Sequence, residues 1–102
     1  MNRGEVWWAH VGPKRRPVLV LTRPEVIDVR EMVTVAEITT TIRGLAVEVS
    51  VGGTEAELPA DSAINCDGLH TIRRSSLTAM AGELDDSTMQ SVCRAVTYAL
   101  GC

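Results

Sequence analysis

For most of its length the chain sets short apolar runs between turn-forming residues; over its last fifth the period lengthens to that of a helix. Glu5 to His10 reads as a first strand. Trp7 and Trp8 are adjacent, so a period of two sends them to opposite faces, one ring into the core and the other nearer the surface. Gly12-Pro13 supplies a turn. Lys14-Arg15-Arg16-Pro17 then runs into Val18-Leu19-Val20-Leu21, which is apolar on both faces, as a strand buried on two sides would be. Proline cannot donate to a ladder and holds its predecessor extended, placing Arg16 where loop gives way to strand. Met32 to Ile38 forms a third strand running into Thr39-Thr40-Thr41. Leu45 to Val51 alternates and predicts a fourth, with one buried and one wet face. Gly52-Gly53 closes it, and Thr54-Glu55-Ala56-Glu57 reads as a loop or bulge. Then come a short strand around Ala63-Ile64-Asn65, a two-residue turn at Asp67-Gly68 and a strand over Leu69 to Ile72. Arg73 to Ala81 reads as a connector with one helical turn at Ser75 to Leu77, broken by Gly82. The helix follows. Met89, Val92, Cys93, Val96 and Leu100 share a face, Asp85 or Asp86 can cap it, Ser87 to Gln90 has capping-box spacing, and Gly101 stops it. Short strands and one terminal helix predict a mainly β domain over residues 1–102, a small, strongly bent antiparallel sheet or barrel.

Composition narrows what fills that sheet. Hydrophobic residues make up 45% of the 102 and Phe is absent, so Val, Leu, Ile, Ala and Trp must build one core. No apolar run approaches the roughly 20 residues a membrane span needs, so a soluble, cytoplasmic protein is expected. Cys66, Cys93 and Cys102 are odd in number and far apart, which fits neither a disulfide framework nor a zinc ribbon. Cys66 with His70 gives only two metal ligands, so no metal and no cofactor are expected.

Charge is uneven. The net charge is −3, yet residues 1–43 carry seven Lys or Arg against five Asp or Glu, while residues 44–102 carry three against eight. A local basic patch in an acidic protein can hold a few phosphates with modest affinity and then release them. An arginine such as Arg16, seated on a buried strand, is held in place by the core beneath it, as a positioned anion-binding group must be.

Arg3-Gly4-Glu5-Val6-Trp7-Trp8-Ala9, then Arg16-Pro17-Val18-Leu19-Val20-Leu21, then Ile38-Thr39, and later Asp61-Ser62 and His70-Thr71-Ile72 follow one another in an order and spacing that resemble the MazF/PemK family of toxin endoribonucleases. The resemblance covers essentially the whole chain, and its main departure is a short loop from Val11 to Arg15. It implies an SH3-like barrel of the MazF/PemK/CcdB type with a C-terminal helix, assembled as a two-fold homodimer whose groove spans both subunits. It further implies metal-independent, sequence-specific cleavage of single-stranded RNA, and control by a cognate MazE-like antitoxin with a flexible acidic tail that covers Arg15, Arg16 and Arg23.

Such cleavage uses the ribose 2′-hydroxyl as nucleophile and leaves a 2′,3′-cyclic phosphate and a 5′-hydroxyl. It needs a base, an acid and fixed donors for the charge that gathers on phosphorus. By resemblance Arg16 and Thr39 hold the catalytic positions, and a guanidinium suits the charge-stabilising task. His70 is a candidate for proton transfer, with His10 behind it. Lys14, Arg15, Arg23 and Ser62 are candidate RNA-binding residues, and Arg30 is expected to join Arg23 in the same positive neighbourhood. Asp67-Gly68 offers no side chain at position 68, where some family members contact bases. Two other readings remain open from the residues: a non-enzymatic poison of the gyrase-inhibitor type, and a barrel-like interaction module. The pairing of Arg16 with Thr39 favours the nuclease.

Overall fold

Six strands form one antiparallel sheet in the order β4-β5-β3-β2-β1-β6 in a computed structural model that describes residues 1–52, 58–59 and 61–102. The strands are β1 (Glu5–Val11), β2 (Lys14–Val20), β3 (Met32–Thr39), β4 (Glu48–Ser50), β5 (Ala63–Arg73) and β6 (Leu77–Glu83), with helices α1 (Pro24–Ile27) and α2 (Asp86–Leu100). The loop or bulge expected at 54–57 lies outside the described residues.

β1 and β2 close on a two-residue hairpin, with Val11 paired to Lys14. Gly12, at φ 64°, takes the left-handed conformation such a loop demands. The segment expected as a loop therefore shrinks to Gly12-Pro13, and Arg16 is not at a loop-strand junction. It is the third residue of β2, paired with Ala9. Pro17 fits because the β2–β3 ladder covers only Val18, Leu19 and Val20, so no bond to β3 is asked of the proline.

Both faces of the sheet carry apolar clusters. On one, Val6, Leu19, Ala36, Ile38, Ile64 and Cys66 pack beneath Val92 and Ala95 of α2. On the other, Ala9, Val18, Val20, Val33, Val35 and Leu77 pack around Ile27 of α1. Fully burying each large aliphatic side chain here contributes about 1.5–3 kcal/mol. Trp7 and Trp8 do point to opposite faces, but both are half-buried, one against each cluster, because each face has its own core. The Trp7 indole N–H donates to Glu5 Oε1 at 3.0 Å. Burial opposes ionisation of Glu5, yet that bond and those from Asn2 outweigh it and hold the carboxyl below its usual range.

Three further expectations change. The Asp67-Gly68 turn does not form: β5 runs on through it, and Ala36 pairs with Leu69 while Glu37 pairs with Asn65, so residues 66–68 bulge from the ladder. The connector at 73–81 is a 3₁₀ turn, Arg74–Ser76, followed by β6. Its sequence is poor in β-branched residues and its register shifts twice against β1, which blurs the alternation; tertiary pairing overrides propensity there. Of Leu45–Val51 only Glu48–Ser50 joins the sheet, although Val47 and Val51 are buried at its ends as the alternation requires.

α2 matches its sequence signals closely. Asp85 Oδ1 accepts the Thr88 N–H at 2.7 Å, and Gly101 ends the helix at φ 73°. Its apolar stripe is narrower than expected. Val92 is buried, but Cys93 and Leu100 are exposed. No helix among the described residues is long and apolar enough to cross a membrane.

Candidate active site

The site grows out of one face of the sheet. Along β3 a period of two puts Val33, Val35, Glu37 and Thr39 on the same side, and the first two are buried in the core. Along β2 the matching row is Val20, Val18, Arg16, again apolar until its end. Val18 is paired with Glu37, the last pair of that ladder, and just beyond it Arg16 and Thr39 line the same two depressions. The apolar face thus turns polar where the two strands pass out of the core, on side chains held by buried valines beneath them.

Arg16 and Thr39 line two adjoining depressions. One, of about 290 Å³, is completed by Glu37, Arg43, Glu48, Asn65 and Asp67 among others. The other, of about 320 Å³, includes Trp8, Pro17, Thr41, Pro59 and Ser62. The Thr39 hydroxyl oxygen accepts the Thr41 N–H at 3.0 Å, which leaves its proton to donate into the cleft. Glu48 accepts backbone N–H groups of Leu45 and Arg43 at 2.9 and 3.1 Å and so fastens the loop bordering the cleft. Those two contacts, Leu45 first, hold its carboxyl below the usual range.

Behind the cleft, Glu37 Oε1 meets His70 Nε2 at 2.9 Å. The bulge explains how. A Cβ at position 68 would stand 2.8 Å from Glu37 Oε2 and 3.1 Å from Asn65 Nδ2, so Gly68 makes room for the carboxylate. It is a glycine of close approach and not of a turn.

The residues singled out from the sequence fall into different places. Arg16, Thr39 and the buried Ser62 are brought together. Arg15 lies with its guanidinium carbon 4.8 Å from the centroid of the Trp8 ring, which lines the second depression. Lys14 is exposed at the hairpin, and His10 is exposed opposite Arg15. His70 sits behind Glu37 and lines neither depression. Arg23 and Arg30 do share a neighbourhood, but it is not that of Arg16: with Arg3 they border a separate groove of about 520 Å³ beside α2. Cys66 is buried in the core, where burial first and then Asp67 and Cys93 push its thiol up to about 11. It stays protonated, and a thiol in that state is a poor metal ligand. Among the described residues no three His, Cys, Asp or Glu side chains are grouped to hold an ion.

Glu37, Asn65 and Glu48 were not singled out beforehand. Glu37 did carry a signal: it is the lone charge of β3, next in its row after the buried Val33 and Val35. Asn65 and Glu48 carry none, since Asn65 reaches the cleft through pairing of β5 with β3, and Glu48 through pairing of β4 with β5.

A bent antiparallel sheet with a C-terminal helix, and a strand-borne arginine and threonine side by side in an open cleft, define the architecture of the SH3-like barrel toxins. The chain belongs to the PemK-like, MazF-like toxin family of type II toxin-antitoxin systems, whose model matches residues 2–100. It is 35% identical over 102 residues, covering 100% of both chains, to a probable endoribonuclease MazF2 of Mycobacterium tuberculosis. It is 41% identical over 103 residues, covering 98% of this chain and 93% of the relative, to a probable endoribonuclease MazF5 of the same organism. Among solved structures, the Mycobacterium tuberculosis toxin MazF-mt6 superposes with a TM-score of 0.87 at 38% identity, covering 95% and 96% of the two chains. A mycobacterial endoribonuclease in complex with its cognate antitoxin superposes with a TM-score of 0.90 at 26% identity, covering 99% and 95%.

Proposed function

We infer that this MazF-type toxin endoribonuclease cleaves single-stranded RNA at selected sequences without a metal, by attack of the ribose 2′-hydroxyl on the adjacent phosphate. The observation that carries the reading is that Arg16 and Thr39, just past the last β2–β3 pair, line one open cleft together. Arg16 supplies forked, permanently charged donors for the oxygens that gain charge as phosphorus becomes five-coordinate. Thr39, with its oxygen fixed by Thr41 N–H, adds a directed donor. Trp8, held by Arg15, offers a ring for a base to stack on, and Ser62 lies beside it as a polar contact. The absence of a side chain at Gly68 gives a base preference different from that of relatives that read bases there.

The toxin works as a cytoplasmic homodimer, with a groove spanning both subunits, and is held inactive by an antitoxin whose acidic tail covers Arg15 and Arg16. Support for the antitoxin comes from the solved mycobacterial endoribonuclease bound to its cognate antitoxin. The two-residue hairpin at Gly12-Pro13 has too little chain to act as a moving lid, so access is set by the antitoxin rather than by this loop.

The test is incubation of the purified protein with mixed-sequence single-stranded RNA in EDTA, with the fragment ends identified. Discrete cuts ending in 2′,3′-cyclic phosphate are expected, and their loss in Arg16→Ala with the protein still folded. Intact RNA from folded, antitoxin-free protein would remove the reading and favour a non-enzymatic poison.

A further inference from the structure

We propose that Glu37 is the base that takes the 2′-hydroxyl proton, and that His70 is the residue that positions it; this rests on the nuclease reading above. Three observations converge on Glu37. It lines the same 290 Å³ depression as Arg16 and Thr39, and lies two residues from Thr39 on one strand face. Two residues of strand span about 7 Å, and diagonal cross-strand neighbours lie about 7–8 Å apart, so carboxylate, hydroxyl and guanidinium can all reach one phosphodiester. Its carboxylate is aimed rather than loose. Oε1 is fixed by His70 Nε2 at 2.9 Å, and Oε2 rests in the space that Gly68 leaves, where any side chain would stand 2.8 Å away. An isolated carboxylate at the end of a valine row gains nothing for the core, and burying polar atoms there costs free energy unless they are bonded.

The other carboxylates of the cleft suit the task less well. Glu48 is committed to the backbone N–H groups of Leu45 and Arg43, which tie its carboxylate to the loop bordering the cleft, away from the strand row that carries Thr39. Asp67 is exposed on the bulge, outside the strand row that carries Thr39. The groups that face Glu37 are Arg16 from β2, Arg43 and Glu48 from the β4 side, and Asn65, Asp67 and His70 from β5.

In the step, the 2′-oxygen forms its bond to phosphorus as its proton passes to Glu37. The bond from phosphorus to the 5′-oxygen breaks with its electron pair on that oxygen, which takes a proton from water. Glu37 then returns its proton to solvent. Arg16 holds the non-bridging oxygens throughout.

Glu37→Gln is the decisive variant, because glutamine keeps an oxygen to accept from His70 and nearly the same volume but cannot take a proton. With the full-length protein in EDTA, the single-turnover cleavage rate of mixed-sequence RNA is expected to fall about 10²–10⁴-fold. Affinity for the same RNA with 2′-deoxy substitution is expected to hold or tighten, since a negative charge has left the cleft. His70→Gln, which still offers a donor to the carboxylate, is expected to retain far more activity than His70→Ala. Cleavage by Glu37→Gln near the wild-type rate, or a loss matched by weaker binding of the deoxy analogue, would overturn the assignment. Intact RNA with the wild-type protein would remove the nuclease reading and this base with it. Cutting by both proteins would remove the base alone.

Discussion

Two depressions of this small domain both carry arginines, and they are built on opposite principles. The cleft at Arg16 is the polar end of a sheet face, in which Glu37, Thr39 and Asn65 stand on paired strands above buried valines. The groove beside α2 is larger, about 520 Å³, and its floor is Leu21, Val26, Leu69, Val92 and Val96, with Arg3, Arg23 and Arg30 around it. Only the cleft sets a hydroxyl, a carboxylate and a guanidinium in fixed register. The groove offers apolar area and diffuse positive charge. Arg16 and Arg23 are seven residues apart, one within β2 and the other just past its end, yet they line different surfaces, so proximity in sequence says little about shared chemistry.

The sharpest way to break this contrast is to remove one arginine from each depression. Arg16→Ala is expected to lower turnover on RNA by about 10²–10³-fold, the usual cost of deleting one directed donor to the transition state. Arg23→Ala should leave turnover within a few-fold. Equal losses in the two variants, measured by single-turnover cleavage, would erase the distinction drawn here.

Gly68→Ala tests the same cleft through its packing. The new Cβ would meet Glu37 Oε2 at 2.8 Å, so the carboxylate must leave its seat. The atoms it meets are the ends of flexible side chains, so little loss of stability is expected, together with reduced turnover per folded molecule. Thermal melts and cleavage rates on the same preparation separate the two effects. In the groove the balance reverses: Val92→Ala, at a fully buried position of α2, should cost about 2 kcal/mol with turnover per folded molecule unchanged.

The smallest effect expected is on acid stability. Glu5 and Glu48 are both held below the usual carboxylate value of 4.5 by the N–H groups they accept. A carboxyl whose folded pKa is depressed stabilises the fold above its unfolded value, and that contribution is lost as pH falls through the folded one. Melting temperature should therefore decline below about pH 4.5, and Glu5→Gln should flatten that decline more than Glu48→Gln, because Glu5 is buried and Glu48 is only half-buried. An unchanged slope in Glu5→Gln would show that its bonds to Trp7 and Asn2 carry no net stability.

Much of the frame was legible in the residues. The first three strands and the terminal helix announced themselves through period and caps, and Arg16 and Thr39 were reached through family resemblance rather than through spacing. β6 escaped because Leu77 to Glu83 has weak strand propensity and is made a strand by its pairing with β1. α1 escaped because four residues that begin with a proline carry no period to read. Asp67-Gly68 misled for a sharper reason. Glycine after aspartate is a turn signal when backbone conformation is the constraint, whereas here the constraint is a carboxylate arriving from another strand.

The sequence by itself determined that the chain makes a small β domain with one capped helix, that a basic segment precedes a buried strand, and which family it belongs with. These follow from local preferences and from order along the chain, which a sequence displays directly. Only the tertiary structure decided that Arg16 faces Thr39 and not Arg23, that Glu37 lies beside them, and that His70 holds Glu37 from behind. Those relations depend on strand register and on a three-residue bulge, and a shift of one residue in either would turn the same side chains to the other face.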